Sequence, residues 1–334
     1  MANNEHVNNE DTNNEKTKQT NVKKSINSKI KIGDKEINRV MNASGCWAIT
    51  EKQINEIANL SDNQTIITKT CTMKPNKVNP YPNYMRINES TFINCMGMPN
   101  MGYDYYKNLW YKYYVDYKTF IISMDASNWN DLKTMLHDYD EHIGLEKGFN
   151  ISCELVELNV SCPNVGNVNS IRRLIAYDPK SLNELLEKLQ ELNLTYINFG
   201  IKLSPTPDVE LVNEIAEVLN KYVDIVKYIV CSNSIPNCLI LNNESGNAIL
   251  SNKTGGVSGL PSKLLSISNV YQYSKILDSS ITIIGCGGIE TMEDIKDYFC
   301  AGAKCVQLGN IIYDKGCGVI EELQNELCDY YENF

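Results

Sequence analysis

The chain has 334 residues, 43% of them hydrophobic and 22% charged, with a formal net charge of −10. That length buries a full core as one large barrel or two ordinary domains, and the acidic balance argues against nucleic acid or anionic membrane as main partners, since both reward clustered Lys and Arg. No apolar run approaches the roughly 18 residues of a membrane span and no secretory signal precedes the fold, so a soluble, cytoplasmic protein is expected.

Residues 1–28 are rich in Asn, Glu and Lys with almost no bulky apolar groups. Such a segment cannot offset the entropy of ordering, and a disordered tail is expected there; its acidic residues argue against a mitochondrial presequence. From Lys29 onward, short apolar runs alternate with amphipathic stretches, and 29–334 reads as a single domain. Strands are predicted over 39–45, 64–70, 119–125, 155–161, 198–204, 227–233, 281–288 and 304–310. Helices are predicted between several of them, over 181–192, 208–222 and 291–302. Strands alternating with helices imply parallel βαβ units. Eight such strands fit a (β/α)8 TIM barrel, with a doubly wound open sheet as the alternative.

Most of these strands end in small or polar residues: Ala43-Ser44-Gly45, Lys69-Thr70, Asn159, Lys202, Asn233-Ser234, Gly287-Gly288 and Gly309-Asn310. Turn formation alone would explain any one of them. Their recurrence with lysines and asparagines points instead to one pocket at the carboxyl ends of barrel strands. The stretches "TGGVSG" (254–259), "GCGGIE" (285–290) and "QLGN" (307–310) are expected on the loops after strands six, seven and eight. Backbone N–H groups of glycine loops there can approach phosphate oxygens. Neither Gly-Gly pair reads as G-x-G-x-x-G, so a phosphate-bearing cofactor fits better than a Rossmann dinucleotide.

The 12 cysteines never take C-x-x-C spacing, and in a long intracellular chain they read as free thiols rather than disulfides or metal ligands. With only three histidines, a His-based triad or His-rich metal site is a poor fit. Cys162 stands apart because it lies in "VELNVSCPNVGN", between Asn159 and Asn164 at the mouth of a strand. A cysteine is ordinarily a small buried core residue, but Pro163 and the flanking amides favour a loop here.

The strings "MNASG", "TKT", "NCMGMPNMGYDYY", "ELNVSCPN", "GIKLSP", "CSNSI", "TGGVSG" and "IIGCGGIE" occur in the order found in dihydroorotate dehydrogenases. The chain resembles that family over residues 29–330, and the second pair of long strings looks like its class 1, fumarate-dependent branch. The resemblance implies an FMN-containing barrel, usually a homodimer, that oxidises dihydroorotate to orotate in pyrimidine biosynthesis. It makes Cys162 the base that removes the C5 proton while hydride leaves C6. A free thiol has a pKa of about 8.5, so only a few per cent is thiolate at neutral pH unless the site lowers it.

Around the substrate the resemblance places Asn94, Met96, Gly97, Met98, Asn159, Asn164, Asn233, Ser234 and Lys69. Orotate has amide-like edges, which asparagine matches by donating and accepting. At the flavin it places Ala43, Ser44, Gly45, Lys69, Thr70, Asn159 and Lys202, the last as a cation facing the reduced ring. Gly256, Gly287, Gly288, Gly309 and Asn310 would hold the phosphate. No metal is implied.

Four departures stand out. "GNVNSIRR" (166–173) replaces the family's "PGKPQ" and its Lys, with Arg172 or Arg173 as substitutes; Asn83 replaces an Arg; Pro236 a Gly; and Asn310 a Thr or Ser. Alternatives in function are another dihydropyrimidine as substrate, or a catalytically lapsed barrel kept for binding. Retention of Cys162 with Lys202 argues against the second.

Overall fold

A computed structural model describes residues 28–61, 64–115, 118–147, 152–161 and 174–332. The expected tail therefore lies outside the described residues, Ser28 apart. The chain opens with a hairpin, β1 (Lys29–Ile32) and β2 (Lys35–Asn38), turned through Gly33 in the left-handed region. Then follow β3 (Val40–Asn42), α1 (Glu51–Ala58) and β4 (Thr65–Ile67). A first excursion carries β5 (Tyr84–Asn88) and β6 (Thr91–Asn94) before α2 (Tyr103–Val115). The βα alternation resumes with β7 (Thr119–Asp125), α3 (Trp129–Lys147), β8 (Glu154–Asn159), α4 (Pro179–Glu191), β9 (Ile197–Lys202), α5 (Val209–Asn220) and β10 (Val226–Cys231). A second excursion forms β11 (Ile235–Leu239) and β12 (Thr254–Gly259). The chain finishes with α6 (Leu260–Ile276), β13 (Thr282–Cys286), α7 (Met292–Ala301), β14 (Cys305–Leu308), α8 (Ile311–Lys315) and α9 (Gly318–Glu332).

The eight predicted strands are β3, β4, β7, β8, β9, β10, β13 and β14. They form one parallel sheet in the order β3-β14-β13-β10-β9-β8-β7-β4, the (β/α)8 barrel the alternation implied. Between β3 and β4 the seam is spanned by side chains. Asn42 Nδ2 donates to Ile67 O (2.6 Å) while Ile67 N donates to Asn42 Oδ1 (3.0 Å). One step below, Thr65 N donates to Asn38 Oδ1 and Asn38 N to Thr65 Oγ1, both at 2.9 Å. Barrel closure removes sheet edges, and here two amides complete it.

Alternation along each strand sorts the core into two. On β10, Ile229 and Cys231 face the helices, whereas Tyr228 and Val230 face the barrel interior. Ile32 and Ile37 of the hairpin join that interior cluster with Met41, Ile67, Ile121, Leu155 and Ile284. Gly200 is what admits the Tyr228 ring, because a Cβ there would meet its Cζ at 1.9 Å.

The predicted strands run past the observed ones at several carboxyl ends: Ala43 to Gly45, and Lys69 with Thr70, leave the ladder to face a cavity. "TGGVSG", expected on a loop, is the strand β12. It belongs to a four-stranded antiparallel sheet, β11-β12-β6-β5, built from both excursions. Gly255 and Gly259 allow it, because a Cβ at either would strike the backbone of Asn94 or Ser90. The three predicted helices appear as α4, α5 and α7, started by Pro179, by the Asp208 cap and by a capping box of Thr291 with Asp294. Among the described residues no helix is long and apolar enough to cross a membrane.

Candidate active site

Parallel barrel strands deliver all their carboxyl ends to one face, and loops from that face meet the small sheet above it. Between them lies a cavity of ≈ 1340 Å³, part of it open to solvent. Strand ends supply Ala43, Ser44, Gly45, Lys69, Thr70, Asn159, Lys202, Asn233, Ser234, Gly287, Gly288, Gly309 and Asn310. The small sheet and the turn after β6 supply Asn94, Met96, Gly97, Met98 and Gly256. Every described candidate named from the sequence thus lines this cavity. Cys162 and Asn164 lie outside the described residues, as does the segment 166–173; Ser161, immediately before Cys162, lines the cavity.

Two buried lysines set the electrostatics. Lys202 is 4% exposed, and its Nζ donates to Ser44 O and to Gln307 Oε1, both at 3.3 Å, and stands 3.9 Å from Glu157 Oε1. Burial alone would lower its pKa, but Cys286, Glu157 and Cys46 outweigh it and the net direction is up. The two thiols are themselves pushed up by burial against the pull of Lys202, Cys286 to about 11. Glu157 is the acidic side chain paired with Lys202. Lys69 Nζ donates to Gly45 O at 3.2 Å.

Beside them runs a set of short polar contacts. Ser44 Oγ lies 3.1 Å from Thr70 Oγ1, which lies 3.0 Å from Ser123 Oγ. Asn159 Nδ2 donates to Thr70 Oγ1 at 3.3 Å, and its Oδ1 accepts from Ser161 N at 3.1 Å. Asn233 Oδ1 accepts from Ser234 N at 2.8 Å, which leaves its NH2 to donate elsewhere. Asn94 Nδ2 makes a long 3.5 Å contact with Gly256 O.

The glycines form a cradle. Gly287 and Gly288 have φ of +127° and +60°, backbone conformations that favour glycine. A Cβ would meet Gly259 O at 2.7 Å if placed on Gly288 and Ser234 Oγ at 2.2 Å if placed on Gly256. Asn310 Nδ2 donates to Ser258 Oγ at 2.7 Å, within the same wall. A group with a phosphate at one end and a flat, amide-edged ring at the other fits these donors: glycine amides at one side, lysines and asparagines at the other.

Cys46, Tyr84, Ser258, Cys286, Glu290 and Tyr313 line the cavity too and were not foreseen. Cys286 sits inside the "GCGGIE" stretch and was legible there; Tyr84 arrives only through the pairing of β5 with β6, at Asn94. Among the departures, Asn83 Nδ2 donates to Asn79 O at 2.6 Å and its backbone O accepts from Cys95 N at 2.7 Å, so it braces the excursion. Pro236 lines the cavity at the start of β11.

A family model described as dihydroorotate dehydrogenase matches residues 27–330. A Streptococcus agalactiae serotype Ia protein named dihydroorotate dehydrogenase A (fumarate) is 33% identical over 294 residues, covering 87% of this chain and 88% of that protein. A Trypanosoma cruzi protein named dihydroorotate dehydrogenase (fumarate) is 31% identical over 303 residues, covering 87% and 89%. The crystal structure of DHODH from Eimeria tenella in complex with ferulenol superposes with a TM-score of 0.68 at 18% identity, covering 98% of this chain and 93% of that one. At that identity the last likeness concerns the fold.

Proposed function

Because the chain belongs to the dihydroorotate dehydrogenase family, in its class 1, fumarate-type branch, we propose that it oxidises (S)-dihydroorotate to orotate with FMN as cofactor and fumarate as electron acceptor. The observation that carries this reading is the single cavity joining a glycine cradle to Lys69, Lys202 and the amides of Asn94, Asn159 and Asn233. The role is one in pyrimidine biosynthesis, as a homodimeric cytoplasmic enzyme on small-molecule substrates, without nucleic acid or membrane.

FMN, when bound, supplies the acceptor for the hydride leaving C6. Gly256, Gly287, Gly288, Gly309 and Asn310 would hold its phosphate. Ala43, Ser44, Gly45, Thr70 and Lys69 would line its ring, with Lys202 offering a fixed positive charge that needs no reorganisation during the reaction. Asn94, Asn159, Asn164, Asn233 and Ser234 would pair with the edges of the pyrimidine, and Met96, Gly97 and Met98 would close over it, excluding water. Cys162, one residue past Ser161, would take the C5 proton as base. Removal of that proton leaves negative charge on the substrate, which the surrounding amide donors offset.

The test is optical. The purified protein should be yellow with about one FMN per chain, and anaerobic dihydroorotate should bleach it, with fumarate restoring the colour. A protein that bleaches with another dihydropyrimidine but not with dihydroorotate would transfer the reading to that substrate. A colourless chain that FMN cannot reconstitute would leave a barrel that only binds.

A further inference from the structure

Behind Lys202, inside the barrel rather than in the cavity wall, lie Glu157 on β8 and Gln307 on β14, both 0% exposed. Their neighbours are the apolar interior residues Leu155, Tyr228, Val230, Ile284 and Cys305. Gln307 Nε2 donates to Glu157 Oε2 at 2.7 Å, and Gln307 Oε1 accepts from Lys202 Nζ at 3.3 Å. Glu157 Oε1 stands 3.9 Å from Lys202 Nζ, and the Tyr228 phenol is directed at the same carboxylate.

The order of these three groups is dictated by chemistry. An ionised carboxylate only accepts, an ammonium only donates, and a carboxamide does one at each end. Between Glu157 and Lys202 the amide of Gln307 therefore has a single orientation, NH2 inward and C=O toward the lysine. The bridge fixes where Nζ sits.

The groups that face Lys202 come from five directions: Ser44 and Cys46 after β3, Glu157 on β8, Tyr228 on β10, Cys286 on β13 and Gln307 on β14. Burial pushes the two thiols up, and burial, the charge of Glu157 and a hydrogen bond to it push the Tyr228 phenol up. Glu157 is the one carboxyl of the set. A buried ion pair of this kind adds little to folding, because desolvation of both charges offsets their attraction, and apolar replacements of similar volume are often neutral. Removing the carboxylate alone is a different matter, because it leaves the Lys202 charge buried without its partner.

We propose that Glu157, acting through Gln307, is a positioning residue for the oxidation: it holds the Lys202 ammonium aimed at the cavity, so that a fixed cation faces the bound flavin as electrons arrive. The proposal rests on the FMN reading given above. Without the Glu157 carboxylate the bridge through Gln307 loses its anchor, Nζ is no longer fixed toward the cavity, and the reduced flavin loses its placed counter-charge.

The experiment compares the midpoint potential of bound FMN, by anaerobic equilibration with a reference dye, in wild type, Glu157→Gln, Lys202→Met, the double variant and Gln307→Met. Thermal unfolding is recorded alongside. Glu157→Gln should shift the equilibrium at least tenfold toward oxidised flavin, which is about 30 mV for a two-electron couple. Lys202→Met should shift it the same way, and the double variant no further than Lys202→Met. An unchanged potential, a shift in the opposite direction, or full additivity would overturn the proposal. Should Glu157→Gln not fold, Gln307→Met decides, because it breaks the bridge and keeps both charges: a smaller shift of the same sign supports the proposal and no shift overturns it. Failure of wild type itself to bind FMN would instead sink the cofactor reading.

Discussion

Asn42 holds both backbone groups of Ile67 with its side chain, accepting from the N–H at 3.0 Å and donating to the C=O at 2.6 Å. The pair takes the place of a peptide-to-peptide ladder at the one seam of the barrel, β3 to β4, where the strand order shows no backbone pairing. Asn42 is fully buried, so water cannot substitute for it. Asn42→Ala should destabilise the protein by roughly 2–4 kcal/mol, since two buried backbone groups lose their partners. Asn42→Asp adds a pH signature. Its buried carboxyl should have a folded pKa above the unfolded ~3.9, so the folded state binds the proton more tightly and stability falls as pH rises between the two values. Urea unfolding at several pH values checks both; an Asn42→Asp variant of pH-independent stability would mean the seam is open to solvent.

Gly200 and Tyr228 form a second test of the interior. A methyl group on Gly200 would overlap the tyrosine ring, so Gly200→Ala should cost about 1–3 kcal/mol, the range for overpacking. Tyr228→Leu should relieve it, making the double variant more stable than the sum of the single effects predicts. Strict additivity in denaturant melts would show that the two residues do not compete for space.

The eight barrel strands were legible because parallel strands covered on both faces are predominantly apolar runs, such as Thr119–Asp125 and Thr282–Cys286. The cavity residues were legible as the polar ends of those runs. The hairpin β1–β2 was not, since its charged residues carry no strand signal except Ile32 and Ile37, which matter only as the barrel's plug. β12 was hidden for a different reason. Its glycines suit a loop by propensity, and only the close backbone of Asn94 and Ser90 makes them strand residues. Glu157 and Gln307 were passed over because a strand position facing a barrel interior looks, in sequence, like one facing solvent.

The substrate end of the cavity makes its own prediction. Asn159→Ala and Asn233→Ala should each weaken orotate binding by roughly 1–3 kcal/mol, the loss expected when a buried polar edge is left unpaired. Asn159→Ala should also remove one contact of Thr70 Oγ1, which keeps those with Ser44 and Ser123. Titration of the flavin spectrum with orotate reads both. Unchanged affinity in the two variants together would place the pyrimidine elsewhere.

The last prediction concerns the thiol after Ser161. If Cys162 is the base, Cys162→Ala should still bind FMN and orotate but take electrons from dihydroorotate about 10² to 10⁴ times more slowly, the usual cost of losing a general base. Cys162→Ser should retain activity only toward high pH, since a hydroxyl is a far weaker acid than a thiol. In wild type the rate should rise with pH through an apparent pKa belonging to this thiol, or to the thiol coupled with its neighbours. Cys46 and Cys286 line the cavity and serve as internal contrasts. Burial pushes both up, Cys286 to about 11, so neither supplies a thiolate in the neutral range. A rate that climbs near the ordinary thiol value of about 8.5 therefore belongs to a different group. Rapid-mixing measurements without oxygen, from roughly pH 6 to 10 around that value, separate this half-reaction from reoxidation. Wild-type speed in Cys162→Ala would reduce Cys162 to a packed residue and move the search for the base to the groups that line the cavity.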